Sequence, residues 1–140
     1  MEWFVLALLS AFFAALVAIF AKIGLQGVDS NVATATRAIV MALFMVGFVI
    51  SIGKGRQMTQ LTNRDMLFIV FSGIAGALSW LFYFAALKVA DASKVAPIDR
   101  TSVLFVLILS ALLIGEKITL KTAIAGLLIF AGALLLVLKI

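Results

Sequence analysis

The chain offers few residues for chemistry. It holds no cysteine and no histidine, and its six carboxylates and eleven lysines and arginines are scattered singly. That removes disulfides, thiolate nucleophiles and the usual zinc sites. With no carboxylates paired at a useful spacing and no glycine-rich phosphate loop, no catalytic, metal or cofactor site can be assembled, and no enzyme is expected. What remains is charge set beside apolar runs. The stretch "VAPIDRTSV", Val95 to Val103, carries Asp99 and Arg100, and "TRAIVMALFMV", Thr36 to Val46, carries Arg37. A carboxylate in such a place can take up a proton or meet the polar part of a solute, and an arginine can pair with it.

These residues need elements to hold them, and composition says which kind. Of 140 residues 66% are apolar and 12% charged, where a soluble domain has about 25% charged. Trp3 to Ala21 contains no charge and is long enough to cross a hydrocarbon core of about 30 Å at about 1.5 Å per helical residue. The expected fold is an all-α membrane bundle of five transmembrane helices, at 3–24, 32–52, 66–88, 94–115 and 119–138, forming a single domain over 1–140. Glu2 and the length of the first apolar run argue against a cleaved signal peptide. Asn31 and Thr119 stand just before apolar runs, where helix N-caps belong. The basic residues form no stripe, so no nucleic acid is expected as partner; the bilayer is.

On a continuous fourth helix, Asp99, Ser102, Val106 and Ser110 fall in one stripe about 80° wide, and Arg100 points a quarter-turn away. Asp99 lies about 6–9 Å inside that helix, Arg37 at comparable depth in the second, and an ion pair between them is open. Either Asp99 borders a cavity, or it favours the positive end of its helix while Arg37 and Arg100 snorkel to head groups. Pro97 reads as a helix start rather than a hinge. On the third helix Ser72, Gly76, Ser79 and Tyr83 share a face with Trp80 beside them. Ser79, Trp80 and Tyr83 suit a pocket for a flat or amphipathic solute; Gly73, Gly76 and Ala77 suit helix contacts. Arg37, Met41, Phe44 and Met45 share a face of the second helix with Thr34, either as an adaptable wall or as packing.

The charges that orient membrane helices nearly balance. Lys54, Arg56, Arg64, Lys117 and Lys121 lie on the side of the N-terminus; Lys22, Lys88, Lys94 and Lys139 lie on the other, with Arg37 and Arg100 just inside it. Five against four, or five against six, gives no clear orientation. Either the longer loop from Gly53 to Asp65 fixes the N-terminus inside, or the chain inserts both ways and pairs with an inverted copy of itself.

The segment from Ala86 to Leu138, with "PIDR" at Pro97–Arg100, the turn "GEKIT" at Gly115–Thr119, and Gly126 and Gly132 in the last helix, resembles the second half of an EamA domain of the drug/metabolite transporter superfamily. The opening "AFFAALVAIFAKIGLQGVDSN", with Lys22, Gly24 and Gly27, is similar to the first helix and loop of the short bacterial and archaeal members. Most members carry two such repeats in inverted orientation, and this chain carries one. The resemblance implies a secondary transporter in the cell (inner) membrane. Its expected role is exporting a small metabolite or amphipathic compound by alternating access, as an inverted homodimer. The last helix also resembles that of small multidrug transporters, which implies a dimer contact at Gly126, Ile129 and Ala133. Asp99, Arg37, Ser79, Trp80, Tyr83 and Ser102 are the candidates for solute binding or coupling. A flippase for a lipid-linked solute and a non-transporting accessory protein stay open as alternatives.

Overall fold

A computed structural model describes residues 2–138, and Lys139 of the charge count lies outside the described residues. Among the described residues the chain is helical, with five spans long and apolar enough to cross a membrane: Glu2–Gly24, Ser30–Ser51, Asn63–Val89, Ala92–Ile114 and Leu120–Val137. The expected all-α architecture of five spans is what the chain adopts. Most large apolar side chains are exposed, as on Phe82 and Leu113, which suits a protein whose solvent is lipid.

Four of the five spans begin ahead of the expected starts, at Glu2, Ser30, Asn63 and Ala92. Helix α1 is Glu2–Gly24 and α2 is Ser30–Ser51, whose N-cap is Asp29 and not Asn31. The Asp29 carboxylate accepts from the backbone N–H of Asn31 at 2.9 Å and of Val32 at 3.2 Å, satisfying amides with no helical partner. Helix α3, Asn63–Val89, opens on a reciprocal cap. The Thr62 N–H donates to the Asp65 carboxylate at 3.2 Å while the Asp65 N–H donates to Thr62 Oγ1 at 3.2 Å, closing a capping box, and the Thr62 hydroxyl also donates to Asp65 at 2.6 Å. The intervening loop holds a short 3-10 turn at Gly55–Thr59.

The fourth span departs from the expected continuous helix. It consists of α4, Ala92–Asp99, and α5, Ser102–Leu109, followed by a π-turn at Ser110–Ile114. Pro97 lies inside α4, two residues before its end, so it does not mark the helix start. Its ring removes the N–H that would bond back to Ser93 and crowds that carbonyl. The strain is relieved a few residues on. Across Arg100 and Thr101 the backbone tightens to three-residue bonds, Thr101 N–H to Ile98 O at 3.0 Å and Leu104 N–H to Thr101 O at 3.0 Å. The Thr101 hydroxyl also donates to Ile98 O at 2.7 Å. Gly115, at φ +75°, ends the span in the left-handed region, and the Glu116 N–H closes the end on Ser110 O at 3.2 Å. The "GEKIT" turn is therefore a helix stop followed by a start. Thr119 caps α6, Leu120–Val137, accepting from the Thr122 N–H at 3.2 Å.

The chain divides into two compact units, Met1–Lys22 with Val89–Ile140, and Ile23–Lys88. In the first, α4 and α5 pack on α6. Its buried positions are small: Ala18, Ala21, Ser110, Gly126 and Ala133. A Cβ at Gly126 would stand 2.8 Å from Leu107 Cδ1 and 3.0 Å from Leu104 Cδ2, so the missing side chain is what lets α5 and α6 approach. The Lys22 ammonium donates to Ala90 O at 2.7 Å. In the second unit, the Lys88 ammonium at the end of α3 donates to Val28 O at 2.9 Å, fastening α3 to the loop before α2.

Candidate functional site

Within the second unit α2 and α3 leave a cavity of about 610 Å³ between them, inside the range of about 300–1,000 Å³ that holds small organic ligands. Thr34, Ala38, Met41 and Met45 face it from α2, a spacing of four, three and four residues that keeps one helix face. Gly73, Gly76, Ala77 and Trp80 face it from α3 at the same kind of spacing. Glycine inside a helix costs roughly 0.5–1 kcal/mol relative to alanine. At Gly126 close packing offsets that cost. At Gly73 and Gly76, which line the cavity, an added Cβ would meet nothing within 4 Å, so neither glycine is packed against a neighbouring helix.

The one cation on the lining is Arg37. Its guanidinium carbon lies 3.7 Å from the centre of the Trp80 ring and 5.8 Å from that of Phe84, within the range of a cation–π contact. Trp80 is held edge-on by Tyr83, with ring centres 5.4 Å apart at 82°, and by Phe84, at 5.8 Å and 71°. Phe84 is buried, which fixes the aromatic group that carries the arginine.

Of the residues expected to bind or couple, Arg37 and Trp80 come together on the cavity. Tyr83 supports Trp80 from behind and Ser79 is exposed on α3; neither lines the cavity. Asp99 and Ser102 belong to the first unit, where Asp99 is half-buried at the end of α4 and Ser102 exposed at the start of α5. The break at Arg100 and Thr101 falls between them, so the stripe expected from Asp99 to Ser110 is not carried by one helix. Ser110 is buried and donates to Leu107 O at 3.2 Å. The residues expected at a dimer contact divide: Gly126 and Ala133 are buried inside the chain, and Ile129 is exposed. Ala35, Ala38 and Ala42, which the sequence reading did not single out, also line the cavity, as does Asn31, which it offered only as a helix cap. The alanines share the helix face of Thr34 and Met41, a signal masked by the prominence of methionine and phenylalanine in the same run.

The EamA-like transporter family matches residues 1–138. A Sinorhizobium protein named "Uncharacterized transporter in cobO 3'region" is 42% identical over 135 residues, covering 96% of each chain. No solved structure matches the chain. The chain is a multi-pass membrane transporter, and it belongs to the EamA-like transporter family.

Proposed function

We propose that the protein is a secondary transporter that exports a small metabolite or amphipathic compound by alternating access, with the α2–α3 cavity as its solute site. The observation that carries this reading is the cavity itself: about 610 Å³ bordered by Gly73 and Gly76, with Arg37 stacked at 3.7 Å on Trp80. No enzymatic step is assigned, and one EamA-like domain over 1–140 does the work.

The broken fourth span supports the alternating-access part. Discontinuous helices recur in transporters at the place where one part moves against another, and the break after Pro97 together with the π-turn gives this span two places to bend. Asp99, at the last position of α4 beside the break, is the group we assign to proton coupling. A reconstituted Asp99→Asn protein is expected to lose its response to a pH gradient; unchanged dependence would remove the assignment.

The working assembly in this proposal is an inverted homodimer in the cell (inner) membrane. Its support is the near tie of basic residues on the two sides, since a chain without an orientation signal inserts both ways. Single cysteines placed by Gln57→Cys, in the turn between α2 and α3, and Ser93→Cys, at the exposed start of α4, fall at opposite ends of α3 and so on opposite sides of the membrane. Each is expected to react with an impermeant thiol reagent from both faces of the membrane, and one-sided labelling at both sites would sink the inverted dimer. Transport itself is tested by solute flux into proteoliposomes, with protein-free vesicles as the baseline.

A further inference from the structure

Resting on the cavity as the solute site, we infer that it takes an amphipathic organic anion, with the acidic group at the N–H edge of Arg37 and the apolar body laid along Met41, Gly73 and Gly76. The stacking geometry supplies the first reason. A guanidinium set face-on to an indole uses its π-face and keeps its in-plane fork of donors, which matches a carboxylate or phosphate. The second is that no carboxylate of its own unit answers it. Asp29 is engaged by the first-turn amides of α2, and Asp65 is engaged by Thr62 at the start of α3. Within this unit Arg37 lies against the aromatic faces of Trp80 and Phe84.

The rest of the lining agrees. Asn31 brings a side-chain amide donor to the start of α2, while the rest of the wall beside Thr34 and Trp80 is alanine, glycine, methionine and leucine. A cationic solute finds no carboxylate on the lining, and the Trp80 face that would attract it is already covered by Arg37. Anion, aromatic or aliphatic body, and a size within 610 Å³ define the class.

The chain has two tryptophans, so a Trp3→Phe protein reports on Trp80 alone. Its fluorescence is titrated with phenylacetate, phenylacetamide and phenethylamine in phosphatidylcholine nanodiscs. Phenylacetate is expected to give a saturable change, with phenylacetamide and phenethylamine at least about tenfold weaker, because a charge-assisted pair is lost. Arg37→Gln weakens phenylacetate by about tenfold or more, and Arg37→Lys by less. Gly76→Leu, which keeps Arg37 and fills the cavity, abolishes binding and decides the matter if Arg37→Gln does not fold. Phenethylamine binding as tightly as phenylacetate, or phenylacetate binding unchanged in Gly76→Leu, overturns the inference. So does a Trp80 change that appears only in phosphatidylglycerol nanodiscs and resists phenylacetate, since the anion is then a lipid head group. Flux is measured separately. Transport of a cation without phenylacetate binding ends this inference and leaves the transporter; phenylacetate binding without flux of any solute does the reverse.

Discussion

Two sets of small residues do opposite things in this chain. In the first unit Gly126 is buried against Leu104 and Leu107, so its missing side chain is filled by neighbours. In the second, Gly73 and Gly76 border open space. Lipid exerts no hydrophobic drive between helices, so close approach through small residues is one of the few ways to hold a bundle. A unit that has small residues and does not close on them has put the same residue type to another purpose. Glycine content alone therefore does not distinguish packing from a cavity; what stands opposite each glycine does.

That contrast can be broken from either end. The largest effect is expected from Gly126→Leu, where a Cβ already meets Leu side chains at 2.8 and 3.0 Å. Overpacking of this kind costs about 1–3 kcal/mol, read as a lower midpoint of unfolding in detergent. Gly76→Leu is expected to leave that midpoint unchanged or raised while cutting solute flux by about tenfold or more, equivalent to at least about 1.4 kcal/mol. A Gly76→Leu protein destabilised as much as Gly126→Leu would erase the distinction. Thr119→Ala removes the side-chain cap of α6 and should cost about 1 kcal/mol, with no effect on groove binding. The exposed Asp91–Lys94 pair, 3.1 Å apart, is the smallest case: Lys94→Met should shift stability by roughly 0.5 kcal/mol or less.

Sequence reasoning reached the five spans because apolar runs of that length with so few charges have one physical outcome in a membrane protein. It placed the starts of α2 and α3 late because the first turn of a helix is often polar: Ser30 and Asn31, or Asn63, Arg64 and Asp65, look like loop when only apolarity is counted. The pattern "TNRD" from Thr62 to Asp65 is a capping signal that was there to be read. Pro97 was misjudged because a proline near the start of an apolar run suits a first turn equally well, and only the helical "ASKV" before it, at Ala92–Val95, decides otherwise. For the site, Arg37 and Trp80 were legible as separate candidates. Their stacking was not, since helix periodicity gives directions on each helix but no distance between two.

The central claim is that the α2–α3 groove is a solute path open to water in the membrane-embedded protein. The chain has no native cysteine, so single Gly76→Cys and Gly126→Cys proteins can be compared in proteoliposomes without further engineering. Labelling by a small water-soluble thiol reagent is the direct measurement. The account predicts rapid reaction at position 76 and little at position 126. A thiol at position 76 as inert as one at position 126 would contradict it.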